Sequence, residues 1–106
     1  ISWGSTFGEC LEAMLKARGE GIRCAAMKVV MLSPFPTHGV TAFMADCKQV
    51  LVPELNYQGQ FANLLQAHVA KPVTRLNRVP GEPMKVEDIL EEIRQLAGKK
   101  AAQKAA

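Results

Sequence analysis

The stretch that most constrains the fold is QVLVPELNYQGQFANLL, residues 49–65, which has the pattern of a strand, a polar turn and a helix. Its first part, residues 50–52, is short, apolar and rich in β-branched side chains, as buried strands are. Pro53 is expected to end this strand, because proline cannot donate a hydrogen bond to a central ladder. After the polar turn of residues 54–59, apolar residues recur at helical spacing, so the stretch predicts half of a βαβ unit.

The same pattern recurs along the chain and predicts the order β-α-β-α-β-α-β-α. Further strands are expected at residues 1–3, 22–32 and 73–76, the second as an inner strand buried on both faces because it is almost continuously apolar. Strands that alternate with helices imply a parallel sheet joined by right-handed crossovers. The predicted fold class is therefore α/β, a three-layer α/β/α sandwich with a mostly parallel sheet.

The ends of the helices are predicted from their capping residues. Thr6 and Glu9 have the spacing of a capping box, so Thr6 is expected to cap the first helix. Thr37 is expected to cap the second helix, and Gly19 and Gly21 are expected to close the first. The apolar stripe that the first helix would bury consists of Phe7, Cys10, Leu11, Met14 and Leu15.

Residues 1–98 are predicted to form one α/β domain, and residues 99–106 a disordered basic tail. The chain begins with Ile1, so it is expected to be a fragment of a longer subunit whose first strand is truncated. Four of its 13 Lys and Arg residues lie from Arg94 onward, where no acid follows. The remaining part is therefore close to neutral, which argues against a nucleic-acid partner.

Cysteine usage and hydropathy indicate the compartment. Cys10, Cys24 and Cys47 lack the CxxC or Cys-His spacing of a zinc site. An odd number of cysteines without a secretion signal is typical of a reducing cytoplasm. Because no apolar run approaches the roughly 18 residues of a membrane span, no membrane partner is expected. The predicted location is cytoplasmic.

Polar residues collect in two turns after strands, where α/β folds keep their functional sites. The candidate interface or turn residues are Gly4, Ser5, Thr6, Glu54, Asn56, Tyr57, Gly59 and Gln60. The first turn can bind an anion at a helix N-terminus, but helix capping is the favoured interpretation. The second favours turn structure or a protein interface over direct ligand contact. In that turn, Asn56 can cap the following helix and Gly59 lets a neighbouring backbone come close. Since no nucleophile with a base and no metal cluster is visible, no catalytic, cofactor-binding or metal residue is predicted.

Three stretches carry a resemblance to a known family. They are PELNYQGQ at residues 53–60, WGST at residues 3–6 and LSPFP at residues 32–36. In the first, the acidic residue, the Asn and the Gly-Gln pair fall in the family's order. These stretches resemble the C-terminal domain of the α subunit of 2-oxoacid:ferredoxin oxidoreductases, and the turn of residues 54–60 is more similar to the 2-oxoglutarate branch than to the pyruvate branch.

The resemblance implies a fold similar to the transketolase C-terminal domain and a non-catalytic role in subunit assembly and active-site shaping. The implied parent enzyme oxidatively decarboxylates 2-oxoglutarate or a related 2-oxoacid to the acyl-CoA. It uses thiamine diphosphate with Mg, an iron–sulfur cluster and coenzyme A, none of which this fragment is expected to bind. The implied partners are the remaining domains of the α subunit, a β subunit, and ferredoxin as electron acceptor.

Two other functions stay open at this point. One is a free-standing α/β module that binds a phosphorylated or carboxylated small molecule with the turns of Ser5 and Asn56. The other is a small hydrolase or transferase, which ranks last because no nucleophile stands beside a visible base.

Overall fold

The computed structural model describes residues 1–56, 59–78 and 81–105, with only the backbone described for residues 99–105. Strands and helices alternate along these residues, as the sequence predicts, and a short 3-10 turn (Gly4–Thr6) links the first strand to the first helix. The elements are β1 (Ser2–Trp3), α1 (Phe7–Gly19), β2 (Lys28–Val29), α2 (Thr37–Ala45), β3 (Leu51–Glu54), α3 (Gln60–His68), β4 (Thr74–Asn77) and α4 (Val86–Ala105).

The described strands form two parallel pairs. Strand β1 pairs with β2, with Trp3 opposite Val29, and β3 pairs with β4. The backbone nitrogen of Ile1 donates a hydrogen bond to Leu51 O at 2.8 Å, which sets the two pairs side by side in the order β2-β1-β3-β4. Strands β1 and β3 are therefore central neighbours, and the chain leaves them in opposite directions, which creates a topological switch point.

Apolar cores lie on both faces of these strands, as the predicted three-layer sandwich requires. In β3, Val52 belongs to the core beneath α2 and α3, whereas Leu51 packs against the core beneath α1 and α4. This alternation is the period of two expected of a strand covered on both sides. The predicted α/β class is confirmed. None of the described helices is long and apolar enough to cross a bilayer.

The sequence predicts that β3 ends before Pro53. In the structure the strand instead continues through Pro53 to Glu54. The carbonyls of Val50 and Glu54 accept hydrogen bonds from Thr74 N and Arg78 N at 2.7 and 2.9 Å. The backbone N–H and C=O groups of the even-numbered residues of β3 therefore point towards β4. The nitrogen of Pro53, which has no hydrogen to donate, points away from β4. The proline is tolerated because it removes no hydrogen bond between β3 and β4.

The prediction of an inner strand over residues 22–32 is wrong. Only Lys28 and Val29 form β2, which among the described strands pairs with β1 alone. Beyond it, Val30 and Met31 are 81% and 56% exposed. The apolar composition indicates burial on both faces, but β2 lies at the edge of the sheet, where one side lacks a neighbouring strand.

The predicted threonine caps are also wrong, although α1 begins directly after Thr6, as expected. Thr6 has φ −68° and ψ −17°, already helical, and makes no capping hydrogen bond because the 3-10 turn runs directly into α1. Thr37 is the first residue of α2, and its hydroxyl lies 3.3 Å from His68 Nδ1. The predicted end of α1 is confirmed at Gly19, followed by Gly21 at φ +85°.

Helix α1 buries a narrower face than its apolar stripe predicts. Leu11 and Leu15 are 39% and 57% exposed. The residues that α1 buries are Cys10, Ala13, Met14 and Ala17. Because Ala13 and Ala17 carry only a methyl group, α4 approaches α1 closely along this face.

Helix α4 starts at Val86, as predicted, and continues to Ala105 rather than ending at Gly98. Alanine and lysine have high helix propensity, so the backbone remains helical after the apolar stripe has ended. That residues 99–106 are a disordered tail in solution, outside a domain of residues 1–98, stays a prediction.

Candidate interface at the carboxyl ends of β1 and β3

The two polar turns identified in the sequence meet at the switch point between β1 and β3. An open cleft of about 380 Å³ lies between them. Six of the candidate residues line it, namely Gly4, Ser5, Thr6, Glu54, Asn56 and Gln60. Tyr57 lies outside the described residues. Segments about 50 residues apart in the chain therefore form one site, in the place where open α/β sheets bind their partners.

Glu54 holds the start of α3. Its carboxylate is buried, and its two oxygens accept hydrogen bonds from Phe61 N at 2.5 Å and Ala62 N at 3.2 Å. These donors belong to the first helical turn, which has no partners within the helix, and negative charge is favourable at this end of the helix dipole. The sequence suggested Asn56 as the cap of α3, but Glu54 performs this role.

Gly59 allows β4 to come close to the turn. It has φ +63°, and a Cβ at this position would lie 3.0 Å from Arg75 Nη1 and 3.3 Å from an amide nitrogen of Asn77. The close approach predicted at Gly59 therefore comes from side chains of β4 and not from a backbone. Arg75 also donates a hydrogen bond to Asn63 Oδ1 at 2.7 Å, so its guanidinium fastens β4 to α3.

An aromatic pair forms part of the apolar lining of the cleft. The rings of Trp3 and Phe61 are 6.4 Å apart between centroids and are tilted by 34°, while Trp3 stays 45% exposed. Ser5 and Gln60 are exposed at the polar rim. Sequence reasoning did not single out Trp3 as a site residue, although its place directly before the Gly4 turn is a signal that could have identified it.

The charges around the cleft do not suit an anionic ligand. The carboxylate of Glu54 already occupies the donors at the start of α3, and none of the described lining residues is lysine or arginine. A neighbouring cavity of about 400 Å³ shares Ser5 and Thr6 and is also lined by Glu9 and Glu82. A phosphate in either place would meet carboxylates rather than cations.

The described residues also do not suit a metal cofactor or an iron–sulfur cluster. No group of three or more His, Cys, Asp or Glu side chains among them is placed to hold a metal ion. Burial raises the pKa of the Cys10 and Cys24 thiols, which disfavours the thiolate that a metal would need. Cys47 Sγ donates a hydrogen bond to Phe43 O at 3.3 Å.

Comparison with known proteins gives a consistent family match. The family model for pyruvate:ferredoxin oxidoreductase core domain II matches residues 1–89. The chain is 36% identical over 85 residues to 2-oxoacid:ferredoxin oxidoreductase 2, subunit alpha, of Aeropyrum pernix, a match that covers 79% of this chain and 13% of that protein. It is 33% identical over 102 residues to 2-oxoglutarate oxidoreductase subunit KorA of Mycobacterium tuberculosis, covering 95% of this chain and 15% of that protein.

A solved structure shows the same fold. The chain superposes with a TM-score of 0.85 and 36% identity on 2-oxoglutarate:ferredoxin oxidoreductase from Magnetococcus marinus with 2-oxoglutarate, coenzyme A and succinyl-CoA bound. The match covers 90% of this chain and 17% of the other. The chain thus spans between 13% and 17% of the length of these relatives.

Proposed function

The chain belongs to the pyruvate:ferredoxin oxidoreductase core domain II family, and from this premise we propose that it is a non-catalytic domain in the α subunit of a 2-oxoacid:ferredoxin oxidoreductase. Its role is to support subunit assembly and to shape the outer wall of the active site. The observation that carries this proposal is the cleft between β1 and β3, where an aromatic pair and exposed polar side chains meet and no lysine or arginine is found among the described lining residues. Such a surface suits contact with another protein segment.

In the proposed enzyme, 2-oxoglutarate or a related 2-oxoacid is oxidatively decarboxylated to the acyl-CoA. Thiamine diphosphate with Mg, an iron–sulfur cluster and coenzyme A are held by the other domains of the α subunit and by a β subunit, and ferredoxin accepts the electrons. The names of the Mycobacterium tuberculosis relative and of the Magnetococcus marinus structure both include 2-oxoglutarate, which supports that substrate. A cytoplasmic location belongs to the same proposal.

The alternative of a free-standing module for a phosphorylated or carboxylated ligand has less support. It requires free donors or cations at the turns, whereas Glu54 occupies the donors of α3 and the described cleft lining is not basic. Calorimetry of the 106-residue polypeptide with thiamine diphosphate is expected to show no binding. Robust binding would overturn the non-catalytic role.

The assembly role is tested with Asn56→Ala combined with Gln60→Ala in the complete α subunit, co-expressed with its partner subunit. Glu54 is left intact because its removal would leave two buried N–H donors unpaired, at a cost of about 1–3 kcal/mol each. If the two amides contact a neighbouring protein segment, losing both weakens assembly roughly tenfold, since each hydrogen bond contributes about 0.5–1.5 kcal/mol. Co-purification yield and turnover are the measurements.

Gln95→Ala is the matched control, because Gln95 is also an exposed glutamine on a helix but lies on α4, away from the cleft. This variant is expected to assemble and turn over as the wild type does. Thermal unfolding of each α subunit separates lost contacts from lost folding. Normal assembly and turnover of the folded double variant would show that the cleft is not an interface.

A further inference from the structure

A second exposed surface lies outside the cleft, on α1 and the end of β2. Among the described residues, the large hydrophobic side chains that are exposed all fall within the first 31 positions. Trp3 belongs to the cleft. Leu11, Leu15 and Val30, which are 39%, 57% and 81% exposed, do not line it. Exposed apolar residues that form one contiguous area mark an interaction site.

The geometry of α1 and β2 brings these residues to one side. Phe7, Leu11 and Leu15 lie four residues apart along α1 and so form one row on the helix. Lys28 Nζ lies 5.9 Å from the centre of the Phe7 ring, so the side chain of Lys28 in β2 reaches the start of this row. Alternation along β2, continued by one residue, places Val30 on the same face as Lys28. We call these four apolar residues, Phe7, Leu11, Leu15 and Val30, the α1–β2 surface.

The same residues carry sequence patterns of buried elements. Leu11 and Leu15 belong to the apolar stripe of α1, and Val30 lies in the apolar run of residues 22–32, which has the composition of an inner strand. Both patterns predict burial, yet the described chain leaves these residues open. Strand β2 is also a sheet edge of only two residues, which leaves backbone groups for another segment to cover.

We infer that the α1–β2 surface packs against another domain of the same α-subunit polypeptide. This inference rests on the proposed function, because it requires the chain to be part of that subunit. The relatives supply the reason for this choice of partner, since the chain spans only 13% to 17% of their length. Most of such a polypeptide lies outside the domain, and permanent interfaces are the more apolar ones.

The charges of α1 favour this partner over ferredoxin. Lys16 of α1 pairs with Glu87 of α4 at 3.2 Å, and Arg94 of α4 pairs with Glu20 at the end of α1, so these ion pairs lie between the two helices. The four residues of the α1–β2 surface are apolar, and the cations beside them are Lys28, over the Phe7 ring, and Arg18, which follows Leu15 on α1. Transient electron-transfer contacts are small and are steered by complementary charge, whereas an apolar helix face beside a sheet edge suits a neighbour that stays attached.

The test is photo-cross-linking within the assembled enzyme. The photoreactive residue p-benzoylphenylalanine replaces Leu15 or Val30 in the complete α subunit, which is expressed with its partner subunit and irradiated. Mass spectrometry of the digested product identifies the peptide attached to each probe. We expect peptides of the α subunit that lie outside the stretch corresponding to residues 1–106. Gln95→p-benzoylphenylalanine on α4 is the control, with a cross-link yield several-fold lower than that of the two probes.

Isotope labelling separates the possible partners. In an enzyme assembled from mixed ¹⁴N and ¹⁵N α subunits, cross-links between peptides of the same label support a contact within one polypeptide. Mixed-label pairs would assign the surface to a contact with a second copy of the α subunit. Attachment to the β subunit or ferredoxin would assign the surface to a contact with that protein. Either result, or cross-link yields no higher than that of the control, would overturn the inference. Because the probe reports contact, cross-links of the expected kind remain informative even if the Asn56 and Gln60 variant assembles normally and the cleft proposal fails.

Discussion

Helices α1 and α4 pack against each other on the same face of the sheet, but the side chains on their remaining surfaces differ in polarity. Between them, Ala13 and Ala17 of α1 share one apolar core with Ile89 and Leu90 of α4. Away from this contact, the described exposed residues of α4 are polar or charged apart from the small Ala97, whereas α1 presents a row of leucines to the outside. Helix α4 therefore has the surface expected at a protein's exterior, and α1 has that expected at an internal boundary.

Ion pairs tie the two helices together at the surface. The guanidinium of Arg94 donates hydrogen bonds to both carboxylate oxygens of Glu20 at 2.8 and 2.6 Å. These bonds lower the pKa of Glu20 and raise the pKa of Arg94. Since both groups face water, the pair contributes little stability compared with the buried contact.

The largest effect on the free energy of unfolding is expected from truncating a side chain of α4 in the core shared with α1. Ile89 is 2% exposed, so Ile89→Ala is expected to lower the free energy of unfolding by about 2–5 kcal/mol through lost burial and an unfilled cavity. Leu15→Ala on the exposed row is expected to change it by no more than about 0.5 kcal/mol. Denaturant unfolding of the 106-residue polypeptide measures both. Equal losses would abolish the distinction between the two helices.

The next effect tests how tightly the two helices meet. Ala13 is fully buried, so Ala13→Leu is expected to overpack the contact and cost about 1–3 kcal/mol. Glu12→Leu adds the same side chain one residue earlier, at an exposed position, and is expected to change stability by about 0.5 kcal/mol or less. Both are measured by thermal unfolding. An Ala13→Leu variant as stable as the wild type would mean that α1 and α4 are not closely packed.

A smaller, pH-dependent effect is expected at the ion pair. Because Arg94 lowers the pKa of Glu20 below its ordinary value of 4.5 in the folded state, the pair stabilises the fold above that value. Arg94→Ala is therefore expected to be less stable than the wild type at neutral pH, and the difference should shrink as the pH falls through the folded-state pKa. Unfolding curves between neutral and strongly acid pH test this. A difference that grows in acid would contradict the assigned pair.

The smallest effect on stability is expected from Leu11→Lys combined with Leu15→Lys. Both positions are exposed, and lysine is a good helix former, so the free energy of unfolding should stay within about 0.5 kcal/mol of the wild type. Self-association of the isolated polypeptide at high concentration should fall, because the apolar row becomes charged. Sedimentation velocity measures the association. Unchanged association would show that the leucine row is not sticky in isolation.

Hydrophobic periodicity and the positions of glycine in the sequence determined the order of the elements and the end of α1 at Gly19, because hydrophobic spacing and glycine conformation are local properties. They also identified both polar turns of the cleft, since each turn follows a predicted strand. A parallel sheet then brings successive strand ends to one edge, so their proximity followed from topology. The identity of the cap of α3 did not follow from the sequence, because Glu54 reaches the N–H donors of α3 from the preceding strand.

Only the tertiary structure decided which residues are covered. Pro53 stays within β3 because its nitrogen faces away from β4, and a sequence does not say on which side a strand is paired. The stretch of residues 22–32 has the composition of an inner strand, yet β2 is an edge, and Leu15 has helical core spacing, yet it is exposed. Hydrophobic patterns determine which residues gain from leaving water, but whether this chain or a neighbour covers them depends on how the elements are arranged in space.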